Sequence, residues 1–253
     1  MIRLNLGRTR PPGGLRIGCV PYLNAKPLIE GLDGVLLRPP ADLVGDLLKR
    51  KLDVALLPAI EVLRRKLAFV PGLAIASPGR VESVRLWHAV PIPDVKVLAL
   101  DRNSRTSNLL AQIVLEERYG ISPKRVVRDP SAGLTFRGVD AAVTIGDTSF
   151  RSAGVPYLDL GAEWKALTGK PFVFALWAYR PGHPKAREIA RTLRAARERG
   201  VARGAAIAKR EAKRLGLPPA FCRRYLTECI TFDLGPSERA GLRKFASYAE
   251  ERA

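Results

Sequence analysis

The sequence predicts an α/β protein of two small lobes with a ligand cleft between them. Three observations carry that expectation. Short apolar runs of strand length alternate with segments of helical period from Leu15 to Ala178, the pattern of mainly parallel sheets covered by helices. The series restarts after a proline-bearing junction, Pro91-Ile92-Pro93-Asp94. A long apolar strand, 172–178, then precedes an all-helical tail, as a return crossing would. The expected lobes are 1–93 together with 173–253, and 94–172.

The elements follow in order. Leu15 to Val20 is a strand, and Pro21 to Pro27 a loop that opens a helix near Pro27. Val35 to Leu37 is a short strand. Ala41 to Arg50 is a helix with Asp early and Lys/Arg late, which suits the helix dipole. Val54 to Pro58 is a buried strand and Ile60 to Lys66 a helix. Leu73 to Ser77 and Val84 to Val90 are strands around Pro78-Gly79. The second series runs from the strand Val95 to Asp101 through a polar loop to the helix Leu109 to Tyr119, which stops at Gly120. Strands follow at 125–128, 141–147 and 157–160. From Pro184 the pattern is helical, broken at Gly200, at 216–219 and at Gly235-Pro236.

Composition excludes several classes. Hydrophobic residues make up 47% and charged residues 26% of 253 residues, so the chain is neither disordered nor fibrous. No apolar run reaches the length of a membrane span. The basic start has no apolar core of a secretory signal before Pro11-Pro12, so a cytoplasmic location is expected. The net charge is +19, and nucleic-acid binding is one reading of it. However, Arg outnumbers Lys 31 to 12, a skew that points to composition rather than phosphate contacts. The tail from His183 holds 17 basic and 8 acidic residues. Its aromatics, Phe221, Tyr225, Phe232, Phe245 and Tyr248, fall at the spacings of core packing. No nucleic-acid or membrane partner is expected, and the protein is taken as a monomer or homodimer. Cys19, Cys222 and Cys229 have no metal-site spacing and read as buried packing. P-loop, dinucleotide and nucleophile-elbow motifs are missing.

Three segments sit beyond strand ends, where α/β sheets bind ligands. Tyr22-Leu23-Asn24-Ala25 follows the first strand, and Asn24 either orients a ligand or makes a turn. In the segment 101–107, Ser104, Thr106, Ser107 and the helix start can hold a carboxylate, with Arg105 adding a bidentate pair; a plain N-cap is the alternative. In the third, Gly146 and Asp147 end a strand, and Asp147 either caps the turn or meets ligand hydroxyls. Of the two histidines, His183 reads as a surface residue. His88 reads as a structural residue or a cleft-facing base.

Arg16-Ile17-Gly18 with Tyr22-Leu23-Asn24-Ala25 and Pro27-Leu28 resembles the opening of the chorismate dehydratase family of the futalosine menaquinone pathway. Ser83 to Leu86, Ser104 to Ser107, Gly146-Asp147, Asp159-Leu160-Gly161 with Trp164, and Thr168 to Ala175 follow in that family's order. The ordered set, above all Thr-Gly-x-Pro-Phe-Val-Phe-Ala, is specific. His88 departs from the pattern, standing where the family has a small polar residue, and the N-terminal extension is longer than usual. The resemblance implies a periplasmic-binding-protein-like type II fold in a cytoplasmic hydro-lyase. The reaction converts chorismate to 3-[(1-carboxyvinyl)oxy]benzoate and water, with no metal or other cofactor. It assigns the catalytic role to Asn24 and substrate binding to Tyr22, Ser83, Ser104, Arg105, Thr106, Ser107, Gly146 and Asp147. The base is either the substrate's own enolpyruvyl carboxylate or His88. The alternatives are 1,4-dihydroxy-6-naphthoate synthase of the same pathway and a non-catalytic binder of small anions. Hinges are expected at 91–94 and 170–172.

Overall fold

The structure, a computed structural model, describes residues 14–129, 133–151 and 154–252. The basic stretch through Gly13 lies outside the described residues. Two mixed sheets form, one per lobe. The first is built from Ile17–Cys19 (β1), Leu36–Leu37 (β2), Val54–Pro58 (β3), Ala68–Ser77 (β4), and, late in the chain, Phe172–Tyr179 (β10) and Thr231–Asp233 (β11). Its strand order is β11-β4-β10-β3-β1-β2. The second holds Val84–His88 (β5), Val97–Asp101 (β6), Lys124–Arg128 (β7), Ala141–Ile145 (β8) and Tyr157–Asp159 (β9) in the order β7-β6-β8-β5-β9.

Direction explains the mixture. β1 runs parallel to β2 and β3, and β6 runs parallel to β7 and β8, so their carboxyl ends share the cleft side of each lobe. A strand that has just crossed from the other lobe starts at the cleft and must run away from it. β5 is therefore antiparallel to β8 and β9, and β10 is antiparallel to β3 and β4. This corrects the expected lobe boundary at residue 93. β5 already belongs to the second sheet, so the chain crosses over residues 78–83 rather than at Pro91–Asp94. The latter is a short 3-10 turn, Ile92–Asp94, inside the second lobe. The chain returns to the first lobe between the helix Leu160–Thr168 (α4) and β10.

Helices cover the sheets. Pro40–Leu48 (α1), Ala59–Arg64 (α2) and the C-terminal helices Ala186–Ala202 (α5), Gly204–Leu215 (α6), Pro219–Arg224 (α7) and Pro236–Glu250 (α8) belong to the first lobe; Arg105–Tyr119 (α3) and α4 belong to the second. Trp87, Trp164 and Trp177 are fully buried in the core, each worth roughly 2–3 kcal/mol of burial. The loop expected after β1 is instead a 3-10 helix, Leu23–Ile29, starting four residues before Pro27. Its apolar side, Leu23, Ala25 and Leu28, is fully buried. Helix α5 presses against it so closely that a Cβ on Gly200 would lie 1.8 Å from the Pro27 carbonyl oxygen. A small residue is thus required where α5 backs the turn that carries Asn24.

Candidate active site

A cleft of about 570 Å³, open solvent included, lies between the lobes. Tyr22 and Asn24 reach it from the carboxyl end of β1, and Leu56 and Pro58 from that of β3. Ser83 enters from the crossing, Ser104, Thr106 and Ser107 from the start of α3, and Gly146 from the end of β8. Phe174 and Ala175 on β10 form an apolar wall with Ile75 and Val81. Helix α3 begins at Arg105, earlier than its periodicity suggested, so Thr106 and Ser107 lie in the first turn beside unpaired backbone N–H groups. All three hydroxyl residues there are buried, and the Ser104 side chain makes no capping bond. Thr106 Oγ1 accepts a 3.2 Å bond from the Ile60 backbone N–H of the facing lobe, which leaves its own hydrogen free to donate. Among the described residues the lining contains no Asp, Glu, Lys, Arg or His. A ligand carboxylate here meets neutral donors and the positive end of a helix.

Seven of the nine residues expected at the site line this cavity, and two do not. Arg105 is corrected: its guanidinium points away and pairs with Glu61 at 3.0 Å, on a side chain 65% exposed. Helical geometry explains this, since Thr106 and Ser107 take the inward face of the first turn. Asp147 is also absent from the lining. Its Oδ1 accepts from the Leu23 backbone N–H at 2.8 Å and its Oδ2 from Arg214 at 3.0 Å. It joins the second lobe to the start of the Asn24-bearing 3-10 helix and to α6. His88 is ruled out as a cleft base. It ends β5 opposite Ala141, the first residue of β8, while the cleft lies at Val84 opposite Ile145. Its Nδ1 is 2.8 Å from the Val90 carbonyl oxygen. His183 is not a surface side chain: its ring is 5% exposed, with Nε2 3.5 Å from Asp53.

The structure adds residues the sequence did not single out. Tyr225 is 1% exposed and donates a 2.7 Å hydrogen bond to Ser83 Oγ. Its place at the start of a π-helical turn, Tyr225–Cys229, is the one local signal, and such turns are not readable from apolar spacing. Arg214 and Arg224, also from the tail, reach the cleft-side carboxylates Asp147 and Glu82. Most telling is Asn24: its Oδ1 is buried with no hydrogen-bond partner. An orphaned acceptor on a residue that lines the cleft is a group awaiting a donor.

Asp101 ends β6 just before this helix start. It is 2% exposed, Oδ1 accepts from the Asn103 backbone N–H, and Oδ2 has no partner. Burial pushes its pKa from 3.8 up to about 6. The native state therefore holds this proton more tightly than the unfolded chain, and stability falls as pH rises between about 4 and about 6. Asp101→Asn keeps the acceptor and removes the charge. The difference between the variant's and the wild type's urea-unfolding free energies should grow across that window to on the order of 2 kcal/mol in the variant's favour. A flat difference would refute the assignment.

A family model described as menaquinone biosynthesis matches residues 15–251. A chorismate dehydratase from Thermus thermophilus is 31% identical, over 91% of this chain and 93% of that protein. The chain belongs to the chorismate dehydratase family. Solved structures agree on the fold. Protein AF1704 from Archaeoglobus fulgidus matches with TM-score 0.75 at 17% identity, covering 94% of this chain and 97% of that one. The periplasmic aliphatic sulphonate binding protein SsuA from Escherichia coli matches with TM-score 0.65 at 17% identity, covering 95% and 88%. The family's two lobes thus have the periplasmic-binding-protein architecture. Among the described residues no helix is long and apolar enough to cross a membrane.

Proposed function

We propose that this protein is a chorismate dehydratase, a hydro-lyase that converts chorismate to 3-[(1-carboxyvinyl)oxy]benzoate and water in menaquinone biosynthesis. Its kinship with the Thermus enzyme supports the substrate, and one observation carries the mechanism: the unpartnered Asn24 Oδ1 in a cavity without charged side chains. Chorismate brings two carboxylates and a hydroxyl. The α3 start with Ser104, Thr106 and Ser107 binds one carboxylate, and Ser83 donates to the other. Asn24 Oδ1 accepts from the C4 hydroxyl and fixes the ring against the wall formed by Phe174.

Elimination breaks the C3–H bond, whose electron pair becomes a ring π bond, and breaks the C4–O bond, with the proton and the hydroxyl leaving as water. Aromatisation drives it. With His88 at the far end of β5 and, among the described residues, no ionisable side chain except Tyr22 in the lining, the base is the substrate's enolpyruvyl carboxylate, held beside C3. Closing the lobes excludes water and strengthens each neutral contact to the dianion. A cytoplasmic location goes with this biosynthetic role.

Chorismate incubated with the protein should disappear as an equal amount of the substituted benzoate forms, followed by absorbance and product chromatography. Unchanged chorismate would overturn the assignment, and 1,4-dihydroxy-6-naphthoate formed from a later intermediate would replace it with the sister synthase.

A further inference from the structure

The Ser83 backbone is fully committed. Its carbonyl accepts from the Gly146 N–H at 2.8 Å and from Ser149 Oγ at 3.1 Å. Ser149 Oγ lies 2.8 Å from Thr144 Oγ1, which accepts from the Trp87 indole. Its own N–H turns back to the Val81 carbonyl at 2.7 Å across Glu82, a non-glycine residue at φ +61. That left-handed turn is strained, and such strain persists only where surrounding contacts hold it. Here Arg80, Arg85 and Arg224 all donate to the Glu82 carboxylate, at 2.9, 2.8 and 3.1 Å. They hold that buried carboxyl below its usual pKa against the opposing effect of desolvation.

Arg224 immediately precedes Tyr225, so one short segment of the tail grips Glu82 and reaches Ser83. The Tyr225 ring is fixed by Phe150 and Phe221, with centroids 5.1 and 6.4 Å away. Its phenol is buried and held well above the usual tyrosine pKa, so it stays protonated and donates. A chain of donors results, from the Tyr225 O–H to Ser83 Oγ and from there to the cavity that Ser83 lines. Because Ser83 Oγ accepts, its single hydrogen is left for the cavity.

We propose that Tyr225 is a positioning residue for the chorismate reaction: its phenol donates to Ser83 Oγ, so that Ser83 presents its own hydrogen to a substrate carboxylate. This rests on the chorismate reading above. Bonds in such a chain strengthen one another when the last acceptor is an anion.

Tyr225→Phe keeps the ring and removes the link. It should lower kcat for chorismate about tenfold to a hundredfold and raise KM by less than about fivefold. In a Ser83→Ala background the same change should cost less than about twofold, because the chain is already cut. 4-Aminophenylalanine at position 225, which restores a donor, should recover turnover to within about threefold of wild type; it also serves if Tyr225→Phe does not fold. Wild-type-like turnover of Tyr225→Phe, multiplicative effects of the two substitutions, or no recovery with the amino analogue would each overturn the positioning role while leaving the chorismate reading intact. A wild-type protein that leaves chorismate unchanged would overturn the reading and this inference together.

Discussion

Asn24→Ala should lower kcat for chorismate about 10²- to 10³-fold and weaken binding of the benzoate product by no more than about tenfold. The asymmetry follows from the contacts proposed for Asn24, Ser83 and the α3 start. The product has lost the hydroxyl that Asn24 Oδ1 is placed to receive, whereas both carboxylates remain to be bound by Ser83 and the α3 start. Loss of Asn24 therefore leaves most of the binding energy intact and removes the contact that aligns the C4–O bond. Rate measurements with saturating chorismate, set beside calorimetric titration with product, separate the two effects. Because Asn24 sits on a 3-10 helix packed by Leu23, Ala25 and Leu28 and backed by Gly200, the variant should fold with an unchanged melting profile. Near-normal turnover would remove Asn24 from the mechanism. A hundredfold loss of product affinity matching the loss of rate would make it a binding residue.

The alternation of strands and helices was legible because apolar periodicity is a local property. The site segments were legible because ligands collect beyond the carboxyl ends of strands, where Tyr22, Ser104 and Gly146 stand. What the sequence could not show is direction and depth. Nothing in Val84–His88 says that the strand runs away from the cleft; that follows from its pairing with β8 and β9, and it is the fact that removes His88 from the site. Arg105 and Thr106 are adjacent in sequence, and only the phase of α3 decides that the charged one faces Glu61 and the neutral one the cavity. The basic tail is distant along the chain from the segments that form the site. Folding returns it: Arg214 meets Asp147, Arg224 meets Glu82, and Tyr225 meets Ser83. An aromatic at core spacing is packed in the core and still carries a phenol to Ser83 at the cleft, and hydrophobic pattern alone cannot separate the two roles.

Gly146→Ala should reduce kcat/KM for chorismate about 10²-fold by preventing the lobes from meeting. Gly146 sits at φ +63, a conformation that opposes a Cβ by roughly 1–2 kcal/mol. A Cβ built there would lie 2.7 Å from the Tyr22 ring, which belongs to the opposite lobe. Overpacking of that kind costs about 1–3 kcal/mol, and only the second part of the cost depends on closure. The two parts can be told apart. The backbone strain lowers stability in the free and the bound protein alike, whereas the clash with Tyr22 disappears when the lobes are apart. Solution scattering should show wild-type compaction on adding product and none in the variant. Tyr22→Ala placed in the Gly146→Ala background should restore compaction by removing the obstructing ring, with activity limited by whatever Tyr22 itself contributes to the ligand. Full activity in Gly146→Ala, or compaction equal to wild type, would mean that the contact between Tyr22 and Gly146 does not govern closure. The interlobe bonds of Asp147 to Leu23 and Arg214 would then be the ones to cut next.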